Sequence, residues 1–207
     1  MITSDTQILP LFSHCLYVSG GERYTVTESE DNFIKKSPYT KNIDNIISCS
    51  YDVLEDESMS SIKEYILKHI EIYTRDVLRI SKNTEFKIIS SWINLTTNGG
   101  RHHPHVHSNS VISGVFNLTP NNELVFGDLG GKPFSMWAMD LDDQNIFNSD
   151  SWTVSSKDPG NVILFPSTLM HQVYPYSSDT VRESISFNVM PVGYLTPRST
   201  TQLKISV

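Results

Sequence analysis

The chain has 207 residues, with 16 Lys and Arg against 23 Asp and Glu and a formal net charge of -7. That length suits one domain with a substantial core, and the absence of any basic block argues against nucleic acid as a partner. Two cysteines cannot build a disulfide framework and no run of about 18 apolar residues offers a membrane span, so a cytoplasmic protein without membrane attachment is expected.

In chain order, residues 1–50 mix short apolar runs with Gly, Asn and Ser and predict an irregular or strand-bearing N-terminal segment. From Asp56 the pattern changes. Ile62, Ile66, Ile70, Tyr73, Val77 and Ile80 recur at spacings of three and four, which predicts one amphipathic helix over about 58–81. Ser61 and Glu64 have capping-box spacing, and Asp56 and Glu57 stand where a helix N-terminus favours negative charge. His69 falls within this helix and is expected at a polar surface position.

No second long helical period follows. Short runs rich in Val, Ile, Phe and Trp come instead: "FKIISSWINL", "SVISGVFNL", "ELVFGDL", "NVILFP", "HQVYPY" and "RESISFNVMP". Turn chemistry separates them at Asn98-Gly99-Gly100, Pro120-Asn121-Asn122, Gly130-Gly131 and Asp158-Pro159-Gly160. The expected architecture is mainly β, a jelly-roll or similar two-sheet barrel with the helix on an outer face. A single domain over 1–207 is expected, with residues 1–85 as the N-terminal segment and supporting helix and 86–191 as the barrel core.

Four of the seven histidines crowd into "RHHPHVHSNS". Side chains two apart on a strand share a face, so His105 and His107 point together while Val106 points away. His102 and His103, next to Pro104, are expected at the rim. A third imidazole can come from His171, which opens a strand after "NVILFPSTLM". His105, His107 and His171 together predict a metal site, because imidazole is the commonest protein ligand for first-row ions. Asp128, near the end of "ELVFGD", is the carboxylate alternative to His107. Gly99 lies six residues before His105 and Gly160 six before Pro166, with His171 five later, an arrangement that resembles the two-part pattern of cupin-type double-stranded β-helices. No glutamate follows His107 at the cupin distance, and Thr168 and Pro175 stand where cupins usually show Gly and Asn.

Downstream of His171, "RESISFNV" places Arg182, Ser184, Ser186 and Asn188 on one strand face and Ile185, Phe187 and Val189 on the other. A guanidinium and a hydroxyl pointing together into a barrel call for an anion, because Arg grips carboxylate through a planar fork and is costly to bury unpaired.

Through "WIN", "HVHSNSVISGVFNL", "ELVFGD", "FPSTLMHQVYP" and "RESISFN", the stretch from about Trp92 to Pro191 resembles the 2-oxoglutarate- and iron(II)-dependent oxygenases, in particular a group of bacterial and phage proteins. The resemblance implies a double-stranded β-helix holding Fe(II) on His105, His107 and His171. It implies 2-oxoglutarate as cosubstrate, with its far carboxylate on Arg182 assisted by Ser184, and O2 as the oxidant of a substrate C–H bond. Two departures stand out. His107 occupies the place of the usual carboxylate, and Asn117 stands where relatives commonly carry Tyr; its amide is a candidate donor to the cosubstrate.

Two other classes compete: a cupin-like metalloenzyme that does not use 2-oxoglutarate, against which Arg182 and Ser184 argue, and a non-catalytic metal-binding barrel. The substrate is a protein side chain or a small molecule, and the oligomeric state is open, a homodimer included. Residues 130–155, Gly-hinged and aromatic, are the expected lid. Trp92, Trp137 and Trp152 are expected in the core or pocket wall.

Overall fold

The computed structural model describes residues 7, 13–21, 23–127, 142–143, 145–195 and 203–206. Asp128, Trp137 and half of the expected lid, residues 130–141 and 144, lie outside the described residues. The elements are β1 (Tyr17–Val18), α1 (Glu28–Lys36), β2 (Tyr39–Lys41), β3 (Ile46–Ser48), α2 (Ser60–Ile72), β4 (Glu85–Thr96), β5 (His102–His105), β6 (Ile112–Asn117) and β7 (Asn122–Gly127). They continue with β8 (Ser151–Ser156), β9 (Val162–Pro166), β10 (Met170–Val173), β11 (Arg182–Leu195) and β12 (Leu203–Ile205).

From β4 onward the chain crosses repeatedly between two facing sheets, with β7 and β8 consecutive in the smaller one. The larger runs β1-β9-β6-β11-β4-β3-β2, with β12 attached to β11; the smaller runs β5-β10-β7-β8. All paired strands are antiparallel. This is the expected mainly β, jelly-roll architecture, with α2 against the outside of the larger sheet.

Two cores result. The outer one joins Ile62, Ile66, Ile70 and Tyr73 of the helical segment to Ile93, Phe116, Leu164, Ile185, Phe187 and Val189 of the sheet. Each fully buried apolar side chain of this size contributes roughly 1.5–3 kcal/mol. Gly114 makes the close packing feasible, since a β-carbon there would collide with the Phe187 ring. The inner core, between the sheets, is smaller: Leu124, Phe126, Ile163, Phe165 and Leu169. The rest of that space is polar.

The helix departs from expectation in three respects. α2 covers 60–72, and a π turn over Tyr73–Val77 follows, closed by Leu78 N–H to the Tyr73 carbonyl at 2.9 Å. The extra residue per turn rotates the apolar face, so Val77 is 41% exposed instead of packed. Ser61 and Glu64 form no capping box; Asp56 accepts from the Ser58 N–H at the start of the preceding 3-10 turn. His69 is buried, with its Nδ1 2.7 Å from the Tyr17 hydroxyl, because it lies seven residues after Ile62 and so on the same face.

Helix α1 was not expected. Its signal is Thr27 followed three residues later by Glu30, and both halves of the capping box form there. Glu30 is buried and also accepts from the Tyr24 hydroxyl at 2.6 Å. Tyr24 in turn donates its N–H to the Gly160 carbonyl, which ties the N-terminal segment to the turn before β9. Gly160 has φ +79, and a β-carbon there would run into the Tyr24 carbonyl.

Candidate metal centre and anion pocket

β5 and β10 pair at the edge of the smaller sheet with His105 directly opposite His171. His107 follows two residues beyond the end of β5. The three rings converge, and their ligand atoms all lie within 4.8 Å of one another.

Each of the three is held through Nδ1. His105 donates to the His103 carbonyl at 2.8 Å and His171 to the Leu169 carbonyl at 3.0 Å. His107 donates to Asn188 Oδ1 at 2.6 Å. A carbonyl oxygen only accepts, so the proton sits on Nδ1 and every Nε2 carries a lone pair. His105 Nε2 and His107 Nε2 stand 3.1 Å apart, two lone pairs facing one space. A shared cation relieves that repulsion, and the outer hydrogen bonds are those that orient metal-bound imidazoles.

Electrostatics agree. Burial pushes the His105 imidazole down to about 4 and, with the neighbouring His105, pushes His171 down to about 3. Burial also lowers His107 and His102. The cluster is therefore neutral, and its lone pairs are free, at physiological pH.

His102 is not at the rim. Between its pairing with Val173 and that of His105 with His171, the register shifts, three residues of β5 spanning two of β10. This irregularity breaks the strict alternation from which a rim position was read. The His102 ring lies 4.2 Å from that of His105 and lines the same cleft.

The cleft has an empty volume of about 690 Å³, including its open mouth. Along β11 its wall is Ser186, Ser184 and Arg182. Arg182 is buried, with one long hydrogen bond from Nη2 to Thr96 Oγ1 at 3.5 Å and its guanidinium 5.4 Å from the Tyr176 ring. Among the described residues it makes no ion pair. Burial pulls against its charge. That charge also helps lower the His102 pKa, after burial and the neighbouring imidazoles, so cation and imidazoles share one space.

Asn117 lines the cleft and spends one of its two amide N–H groups there: Nδ2 donates to Asn161 Oδ1 at 3.0 Å, which also accepts from Ser156 Oγ. Trp92 lines the wall, its ring 5.7 Å from that of His107. Sequence reading missed the buried amides Asn45 and Asn94, linked to each other and, through Asn94, to Ser186 Oγ. Asn94 shares its strand face with Trp92 in "WIN", which was the available signal.

The comparisons with known proteins fall on this barrel. Residues 90–188 match the family described as "Putative 2OG-Fe(II) oxygenase". No curated protein matches the sequence. Among solved structures, HygX from Streptomyces hygroscopicus, with nickel, 2-oxoglutarate and hygromycin B bound, is 12% identical with a TM-score of 0.57, over 85% of this chain and 82% of that one. A prolyl hydroxylase from Trichoplax adhaerens, in complex with a hypoxia-inducible factor peptide fragment, is 11% identical with a TM-score of 0.55, over 84% and 82%. An oxidoreductase of the 2OG-Fe(II) oxygenase family from Burkholderia pseudomallei is 14% identical with a TM-score of 0.53, over 77% and 74%. At these identities the structures share the fold with this chain. The family match adds to this that residues 90–188 are similar to the 2OG-Fe(II) oxygenases, a family of oxidoreductases.

Proposed function

We propose that the protein is a 2-oxoglutarate- and Fe(II)-dependent dioxygenase that hydroxylates a protein or small-molecule substrate. The observation that carries this is the pairing, in one cleft, of three imidazoles with bare Nε2 atoms and a buried guanidinium that makes no ion pair among the described residues. The donor set fits a first-row divalent ion, because the 3.1 Å approach of two lone pairs needs a cation between them.

In this reading His105, His107 and His171 hold Fe(II). Bound there with 2-oxoglutarate and O2, iron supplies the oxidising power that couples decarboxylation of the cosubstrate to succinate and CO2 with hydroxylation of a substrate C–H bond. Arg182 binds the far carboxylate of 2-oxoglutarate through its planar fork, and Ser184, two residues along the same face, adds a hydroxyl. Asn117 is held by one amide N–H to Asn161, which leaves the other as the donor to the cosubstrate. Leu124, Ile163 and Phe165 line the cleft and exclude water. HygX is seen with a small molecule and the Trichoplax hydroxylase with a peptide, and the fold accommodates either class.

We treat the chain as one domain, with 86–191 as the working barrel. Cys15 and Cys49 are both free, in keeping with a cytoplasmic setting, and no helix among the described residues is long and apolar enough to cross a membrane.

The test is an anaerobic titration of the purified protein with Fe(II) and then with 2-oxoglutarate, following iron content and the charge-transfer band of the chelate separately. Ala at His105, His107 or His171 should abolish stoichiometric iron, while His103→Ala retains it. Iron binding without any 2-oxoglutarate band would move the protein to the cupin-like class. Full iron content in all three variants would remove the metal site.

A further inference from the structure

We infer that Asn188 is a positioning residue that fixes His107 as the Nδ1-protonated tautomer and makes position 107 selective for an imidazole. The inference rests on the metal site proposed above.

The three histidines are not held alike. His105 and His171 lie on paired strands and face each other in register. His107 lies past the end of β5 and has no ladder to place it. Two hydrogen bonds replace the ladder: its backbone N–H donates to the Ser167 carbonyl at 2.9 Å, and its ring donates to Asn188 Oδ1 at 2.6 Å.

Asn188 is itself fixed. It sits on β11 between β4 and β6, its Nδ2 donates to Ser90 Oγ at 3.1 Å, and its Oδ1 also accepts from Ser113 Oγ at 3.1 Å. Ser113 Oγ is 2.9 Å from Ser167 Oγ, which reaches Ser110 Oγ at 2.8 Å. Ser113 and Ser167 are fully buried. The contacts close into a ring, from the His107 backbone through Ser167, Ser113 and Asn188 back to the His107 side chain.

In this arrangement Nδ2 meets the Ser90 hydroxyl and Oδ1 is turned toward position 107. An acceptor oxygen there suits an imidazole N–H. A carboxylate at position 107 reaching the same point would set oxygen against oxygen, and turning the amide to receive it would require the Ser90 and Ser113 hydroxyls both to reverse their donor and acceptor roles. The H-x-H sequence and Asn188 are therefore one device. Because the amide is neutral, it orients the ring without adding negative charge to the metal environment.

The experiment uses the full chain with 15N-labelled histidine. In the metal-free parent at neutral pH, long-range proton–nitrogen correlation should show His107 protonated at Nδ1 and bare at Nε2. In Asn188→Leu, which keeps the bulk and removes the acceptor, His107 should move toward the Nε2-protonated tautomer that free imidazole prefers in water. Co(II) affinity, measured by competition with a chelator, should fall by about 10- to 100-fold. Asn188→Asp should restore both, since a carboxylate accepts the same N–H. Parent-like tautomer and Co(II) affinity in Asn188→Leu would overturn the inference, as would failure of Asp to rescue a weakened site. Should Asn188→Leu not fold, Asn188→Asp and Ser113→Ala decide: Asp must keep the parent's tautomer and affinity, and loss of either there overturns the assignment. Absence of Co(II) binding in the parent would count against the metal site, whereas the tautomer is read without metal and stands or falls separately.

Discussion

On β11, Ile185, Phe187 and Val189 are fully buried in the core beneath α2, whereas Arg182, Ser184, Ser186 and Asn188, one residue out of step, face the space between the sheets. One strand thus serves two environments that differ in nearly every physical respect. The outer face is dry and closely packed, and its value lies in apolar area removed from water. The inner face buries an arginine that makes no ion pair among the described residues and surrounds it with amides and hydroxyls, which costs stability and contributes a pocket. Stability and chemistry are separated by a single residue step, so substitutions on neighbouring positions should act on different observables.

The largest effect belongs to the outer face. Phe187→Ala removes a fully buried ring that packs over Gly114, and it should lower unfolding free energy by about 3–5 kcal/mol in chemical denaturation. A loss below about 1 kcal/mol would show that the outer core is loosely packed and the contrast between the faces overstated.

Arg182→Met should act in the opposite sense on stability. Replacing a buried, unpaired cation with an apolar side chain of similar reach removes a desolvation cost, and the metal-free protein should gain about 1 kcal/mol or more. The same change should weaken 2-oxoglutarate binding by about 30-fold or more, since the lost charge-assisted contact is worth about 2–5 kcal/mol. Iron content should stay at the parental level. A variant that loses stability would show that Arg182 is held mainly by the Thr96 and Tyr176 contacts as a structural element.

The contrast between faces was legible in the sequence because a strand has a period of two: from Ser184 to Val189 "SISFNV" sorts polar from apolar residues, and the same alternation put His105 and His107 together. What escaped was set by departures from regular period. The irregular β5–β10 register brought His102 into the cleft, and the π turn after α2 carried Val77 out to solvent. α1 escaped because it buries little apolar surface, with Ile34 its one fully buried hydrophobic residue. The role of Asn188 escaped for another reason. Its ring of contacts joins residues 90, 107, 113, 167 and 188, brought together only by the sheet.

The smallest effect compares histidines across the sheet. His69 is buried on the outer side against Tyr17 and Tyr65, with no second imidazole beside it, and burial lowers its pKa from the ordinary 6.5. The folded protein therefore binds a proton there less readily than the unfolded chain. Stability from this group is fully present above the unfolded pKa and is lost as pH falls below about 6.5 toward the depressed folded value. The inner cluster has the same sign, with His105 and His171 pushed further down, so the parent should lose stability on acidification through both regions. His69→Phe removes only the outer contribution. Measured by denaturant titration across pH 4 to 8, the variant should show a shallower dependence than the parent on the acid side of about pH 6.5. Saturating metal should raise stability without flattening the remaining dependence, because a metal-bound imidazole takes up no proton while those of the unfolded chain still do. Curves for parent and variant that run parallel throughout would mean that His69 titrates normally, and that desolvated imidazoles are confined to the inner face.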